Sequence, residues 1–376
     1  MTAPTAVTGH DVLVLLRLRS HVPEHEARIH RDIASRIADF LDVPFDGTHD
    51  PQRHAGLRCY YVPDATLVGA AARSQFRIQG DADVFGGYAE HAFMPTKAIT
   101  HGLVNASAQR PEGWSDAFIR SVAGATLPGY TAFSKQDLRL ATRQLLEREK
   151  TVRMKPVLAT AGRGQVIIRR LEDLDAALAG QDASCIARCG IVVEAHLEEV
   201  VTYSVGQFRL PGLTVSYIGT QCLTRDNAGE EVYGGSQLCF RRGGFDALLA
   251  GNLSEDHRQA VEMAARYDAA ADACYPQFFA SRRNYDVAVG TDARGQRQMG
   301  VLEQSWRIGG ASRAEIAAME VFSAEPDCQW LRAETLELFG PHETAPPHAI
   351  ETFSGEDPDL GLIRKYVMVE PYGNKQ

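Results

Sequence analysis

Hydrophobic and polar positions fall into two textures that change near residue 150. In the first, short apolar runs alternate with stretches of helical spacing. Residues 11–18 are apolar and of strand length, and residues 24–41 carry Ile29, Ile33, Ile37 and Phe40 at the spacing of one helix face. A second strand is predicted over 57–62, closed by Pro63–Asp64, and then a helix over 66–74. This alternation predicts a small parallel sheet ending near Pro95. Residues 96–150 read as mostly helical, with a helix over 138–148 rich in Leu, Arg, Ala and Glu.

In the second texture strands dominate. They are predicted over 152–158, 165–170, 191–194, 203–208 and 213–217, with a helix over 171–179 among them. An amphipathic helix follows over 254–274 with Ser254 as its N-cap, then strands over 285–289 and 300–304 joined by a turn at 290–295. After Ala314 the pattern predicts helical segments and a tail ending Val367-Met-Val-Glu-Pro-Tyr-Gly. The fold class is α/β, with α+β lobes. A length of 376 residues predicts two or three domains or lobes.

Composition narrows the function classes. The net charge is −9 and basic residues are scattered, so nucleic-acid binding has little support. The apolar run 12–16 is too short for a membrane span or a secretory signal and is followed at once by Arg17 and Arg19. Seven cysteines at irregular spacing fit neither a zinc site nor a disulfide framework, and point to reduced thiols in a cytoplasmic protein.

Three stretches carry candidate chemistry. In 151–169, a strand places Arg153 and Lys155 on one face, and a loop with Gly162 and Gly164 follows before the next strand. Such a loop lets backbone N–H groups approach phosphate oxygens, with a Lys ammonium adding charge. In 285–310, two hairpin strands carry Asp286 and Glu303, with Ser305 and Arg307 at alternate positions beyond Glu303. Two cross-strand acids can share a cation between hard oxygens. In 191–197, an apolar strand runs into Glu194, His196 and Leu197, as a linker between lobes would. Taken singly, each stretch also fits an ordinary hairpin or buried strand.

In this order, the stretches resemble the ATP-grasp superfamily, which includes D-alanine–D-alanine ligases, glutathione synthetases and biotin carboxylases. The resemblance begins at Pro95-Thr-Lys97-Ala-Ile-Thr-His101 and continues through Leu127-Pro-Gly-Tyr-Thr131. It then takes in Lys155-Pro-Val with the loop through Gly164, Val193-Glu194-Ala-His-Leu197, Asp286, and Glu303-Gln-Ser305-Trp-Arg307. Ser305 stands where the family has Asn. The segments 224–229 and 233–236 match no well-known member, which points to a bacterial branch of its own.

The resemblance implies an N-terminal Rossmann-like pre-ATP-grasp domain over 1–95, a first ATP-grasp lobe over 96–195 and a second over 196–376, the two lobes sandwiching ATP. It implies that Lys97, Lys155, Thr160, Gly162, Arg163, Gly164, Gln165, Glu194, Leu197 and Glu199 contact ATP. Asp286, Glu303 and Ser305 would hold Mg²⁺, and Arg307, Lys155 and Arg283 would take the catalytic roles. Substrate contacts would fall among Arg225, Asp226, Asn227, Tyr233, Ser236, Arg282 and Asn284. The implied activity is a cytoplasmic ATP- and Mg²⁺-dependent ligase that activates a carboxylate as an acyl phosphate for attack by an amine. An ATP-grasp phosphotransferase and a non-catalytic ATP-binding module are the alternatives. Expected partners are small-molecule carboxylates and amines, with neither nucleic acid nor membrane, and with a homodimer allowed.

Overall fold

The computed structural model describes residues 9–158, 164–341 and 343–371. The chain opens with β1 (Val12–Leu16), α1 (Glu24–Leu41), β2 (Phe45–Thr48) and β3 (Cys59–Pro63), which form a three-stranded parallel sheet in the order β2-β1-β3. The helix has the predicted bounds because its apolar stripe is unbroken: Ile33, Ala34, Ile37, Ala38 and Leu41 are all buried. β2 went unread, since Phe45-Asp-Gly-Thr has neither an apolar run nor alternation.

Next come β4 (Leu67–Val68), α2 (Ala70–Gln75), a 3-10 turn Asp81–Asp83, β5 (Gly87–Ala89), a second 3-10 turn Lys97–Ile99, and α3 (Asp116–Val122). They lead to β6 (Gly129–Ala132), α4 (Lys135–Glu149), β7 (Val152–Pro156) and β8 (Val166–Ile168). After α5 (Leu171–Leu178) and α6 (Ala183–Cys189), β9 (Ile191–Ala195) completes a four-stranded antiparallel sheet, β6-β9-β7-β8.

The rest builds one large sheet. Its strands are β10 (Glu198–Leu210), β11 (Leu213–Arg225) and β12 (Glu231–Arg242), then, after α7 (Phe245–Leu249), α8 (Glu255–Cys274) and β13 (Phe279–Ala280), β14 (Arg282–Thr291) and β15 (Arg297–Ser305). Following α9 (Ser312–Ala324) come β16 (Trp330–Phe339), β17 (Ile350–Asp357) and β18 (Gly361–Pro371). The order is β15-β14-β10-β11-β12-β16-β18-β17. Ser254 caps α8 as predicted, accepting from the His257 N–H at 3.3 Å. The C-terminal part corrects the sequence reading: one helix is followed by three sheet strands, not by helical segments and a tail.

The two faces of this sheet differ. On one, Val205, Ile218, Tyr285, Val287 and Val301 pack with α8 in a large apolar core. On the other, Phe208, Val215, Tyr217, Leu238 and Phe240 join residues of α1 and α9 in a second core. That second core covers only part of its face. Beyond it on the same face lie the polar residues Ser204, Gln221, Ser236, Asn284 and Asp286.

Candidate functional site

Asp286 on β14 stands opposite Glu303 on β15, and Asn284 opposite Ser305. One step on, Val287 faces Val301, so Leu302 is an extra residue, a β-bulge beside the carboxylates. Without it, strict alternation would put Glu303 on the same side as Val301, in the α8 core. The bulge inverts the phase and brings Glu303 and Ser305 to the face of Asp286. Gln304 and Trp306 then turn inward, where Trp306 is buried.

Gln221 of β11 donates to Asp286 Oδ1 at 2.8 Å. Desolvation and the charge of Glu303 push the Asp286 pKa up from an ordinary 3.8 to about 7. A carboxyl raised in the folded chain contributes stability that is complete below about pH 4 and is lost as pH rises through about 7. Asp286→Asn is therefore expected to flatten the profile. The drop in urea midpoint between pH 5 and pH 8, measured without metal, should be smaller in the variant than in the wild type.

Lys97 Nζ lies 2.6 Å from Glu303 Oε2 and is nearly buried. Its 3-10 turn is held from two sides. Gln304 Nε2 donates to the carbonyls of Met94 at 2.5 Å and Thr96 at 3.1 Å, tying the turn to β15. Thr131 Oγ1 donates to the Ala98 carbonyl at 2.8 Å, tying it to β6. The turn thus sits between the four-stranded and the eight-stranded sheet, with its cation beside the carboxylate pair.

Four residues further on, the same segment supplies His101. Its Nε2 is 3.0 Å from Glu194 Oε2, and Lys155 Nζ pairs with the other carboxylate oxygen. All three side chains are buried. Burial alone would raise the Glu194 pKa, but Lys155 and His101 outweigh it and pull it down to about 2. Gly129 is required here, since a Cβ would come within 2.8 Å of the His101 ring. Arg153 donates to Gln165 Oε1 at 2.9 Å and lies 3.3 Å from His196 Nδ1.

The other expected residues are placed as follows. Thr160, Gly162 and Arg163 lie outside the described residues, while Gly164 has φ +68°. Leu197 is buried, and Glu199 is exposed with φ +51° where the β10 register slips. Arg225, Asp226 and Asn227 form the tip of the β11–β12 hairpin. Asp226 Oδ1 accepts from Ala228 N at 2.9 Å, Arg225 donates to the Gly229 carbonyl at 2.8 Å, and Asn227 donates to the Leu362 carbonyl at 3.1 Å. Turn chemistry accounts for Asp226 and Arg225, while Asn227 ties the hairpin tip to the β17–β18 turn. Tyr233 and Ser236 meet at 2.8 Å, and the tyrosine also reaches Thr335 at 3.2 Å.

Arg282 forks onto the buried Glu315 carboxylate and donates to the Ser305 and Arg307 carbonyls at 3.1 and 2.5 Å. Arg283 is on the opposite face from Asp286 and pairs with Asp268 and Asp272 at 2.7 and 2.9 Å. Asn284 donates to Ser204 at 2.7 Å. Arg307 donates to the Ile308 carbonyl at 2.8 Å, and burial, Arg282 and Arg19 hold its pKa below the ordinary value. Sequence patterns gave no role to Gln221, Ser204 or His101, although His101 closes the Pro95–His101 motif. Gln221 was hidden because β11 was read as ending at Tyr217.

The chain belongs to the family described as "Protein of unknown function (DUF3182)", whose model matches residues 13–367. No curated protein matches it. Among solved structures, it is similar to a D-alanine–D-alanine ligase from Bacillus anthracis solved with ATP, at 11% identity over 83% of this chain and 96% of that one, TM-score 0.42. It is also similar to the VanG D-Ala:D-Ser ligase from Enterococcus faecalis, at 10% identity over 81% and 92%, TM-score 0.43. A third is the biotin carboxylase subunit of a pyruvate carboxylase, at 13% identity over 96% and 87%, TM-score 0.38. Among the described residues, no helix is long and apolar enough to cross a membrane.

Proposed function

We propose that this protein is an ATP- and Mg²⁺-dependent ligase of ATP-grasp type that activates a carboxylate as an acyl phosphate for attack by an amine or similar nucleophile. One observation carries the reading: Asp286 and Glu303 face each other across a hairpin, on a polar face, beside a lysine wedged between two antiparallel sheets. The donor set fits a hard divalent cation. Two carboxylates side by side, one pushed up to about 7 by burial and by the other's charge, are a repulsive pair that a cation relieves.

In this reading Asp286 and Glu303 hold Mg²⁺, with the Ser305 hydroxyl beside them. The metal, when bound, neutralises phosphate charge. Lys97 and Lys155 supply point charges to the phosphates, each leaving a carboxylate partner to do so. Glu194 near the end of β9, Leu197 in the link between the two sheets and Glu199 at the start of β10 serve the nucleoside. Arg307 steadies charge on the acceptor. Phosphoryl transfer to a carboxylate requires no base, because the attacking oxygen is already ionised.

The test is thermal unfolding with and without millimolar Mg·ATP, for wild type and Lys155→Ala. A ligand that binds only the folded chain stabilises it by about 2.7 kcal/mol at a hundredfold excess over Kd. Wild type should shift upward and the variant should lose most of the shift. An unshifted wild type rejects the reading. A shift without turnover for any carboxylate–amine pair favours a non-catalytic module, and a phosphorylated hydroxyl product favours a phosphotransferase.

A further inference from the structure

Three arginines converge where the parallel sheet meets the end of β15. Arg17 and Arg19 follow directly on β1, and Arg307 lies two residues beyond β15. Asp64, just past β3, fixes the β1 exit by accepting from the N–H groups of Leu18 and Arg19 at 2.8 and 3.2 Å. Thr66 Oγ1 reaches the Trp306 carbonyl at 3.4 Å and brings the end of β3 against residues 306–307. In the order β2-β1-β3 the chain runs from β1 to β2 on one side and from β2 to β3 across to the other, so the crevice outside the ends of β1 and β3 is the topological switch point, where open α/β sheets take ligands.

The charges there do not balance. Arg19 pairs with Glu26, and Arg17 lies 3.8 Å from Asp64 with its NH1 making no hydrogen bond. Arg282 is fully matched by Glu315. Arg307 donates to a backbone carbonyl and has no carboxylate within ion-pair distance among the described residues. Three guanidinium groups therefore face two carboxylates. Behind them on α1, His30 is buried with Nδ1 unpartnered, and burial with the nearby Arg17, Arg19 and Arg307 brings its pKa down to about 4. The histidine is neutral and one of its buried ring nitrogens lacks a partner. Arg17 and Arg19 keep 26% and 35% of their side-chain surface, so solutes reach them.

We propose that Arg17, Arg19, Arg307 and His30 form an anion pocket that holds a second carboxylate of the substrate, so that the acceptor is a dicarboxylic acid. One carboxylate would lie toward Lys97 and Glu303 to be phosphorylated, and the other between the arginines. Arginine forks suit a carboxylate better than water does, because two parallel N–H groups meet its two oxygens. The assignment of the bound anion as substrate rests on the ligase reading, whereas the pocket's charge does not.

The test is calorimetric titration of the full chain with succinate, glutarate and adipate, and with acetate as the single-carboxylate control. Wild type should bind at least one dicarboxylate about tenfold or more tightly than acetate. Arg17→Gln and Arg19→Gln should each lose about tenfold or more of that affinity while retaining the Mg·ATP shift in unfolding midpoint. That retained shift shows that the variants are folded. Binding of dicarboxylate no tighter than acetate, or affinities unchanged in both variants, overturns the pocket. If dicarboxylate binds as expected but ATP does not, the ligase reading fails and the pocket stands. If ATP binds and no dicarboxylate does, the pocket fails and the ligase reading stands.

Discussion

Glu303→Gln should lower Mg·ATP-dependent turnover by more than about 100-fold while leaving the unfolding midpoint of the nucleotide-free protein nearly unchanged. The substitution keeps the shape and the hydrogen-bonding capacity toward Lys97 Nζ, 2.6 Å away in the wild type. What it removes is one of the two negative charges facing each other across the β14–β15 hairpin. Losing groups that merely support a metal ligand typically costs about 10–100-fold, so losing a direct ligand should cost more. The fold should tolerate the change, because the Glu303 side chain is 34% exposed and the Gln amide oxygen still accepts from Lys97 while the repulsion with Asp286 is eased. The diagnostic is the Mg²⁺ dependence of turnover. A weakened site requires more metal, whereas a purely structural lesion lowers activity at every metal concentration alike. Equal activity in the two proteins would remove Glu303 from the site.

Glu315→Ala should behave in the opposite way, destabilising the chain by about 3–5 kcal/mol. Its carboxylate is fully buried and takes the Arg282 fork, and it also accepts from the Tyr217 hydroxyl at 2.6 Å. Removing it strands a guanidinium that is 1% exposed. Arg282 also grips the Ser305 and Arg307 carbonyls, so the loss should loosen the turn that presents Arg307. Urea unfolding measures the first effect. The double variant Glu315→Leu, Arg282→Met separates the two, since it should recover much of the stability without restoring the grip on that turn. A single variant as stable as wild type would mean that water reaches the pair.

The sequence revealed some of this layout and concealed the rest for definite reasons. α1 was legible to the residue because burial of one face leaves a periodic trace over five turns. The β14–β15 acids were legible as a pair because a hairpin brings sequence neighbours together. The bulge at Leu302 was not, since no Gly or Pro marks it, yet it decides which face Glu303 occupies. Strands β16 to β18 were hidden because in Trp330–Phe339 the buried alternating positions include Ala333 and Thr335, which are too small or too polar to mark an apolar face. The buried partners of Lys155 and Arg282 come from distant elements, and no local pattern announces a contact between residues far apart in the chain.

The N-terminal helix rests on one of the last strands. His25 of α1 meets the Phe353 ring of β17 edge-on at 6.1 Å between centroids, Arg28 lies over that ring at 5.3 Å, and His25 is 3.8 Å from Asp357. This helix therefore finishes packing only when strands made more than 300 residues later have joined the sheet. Closing so long a loop is slow, because its entropy is lost before any contact repays it. Until then the face of α1 that β17 will cover stays open to solvent. A chain still on the ribosome would carry that uncovered surface until β17 has emerged, an interval in which exposed apolar groups invite chaperones.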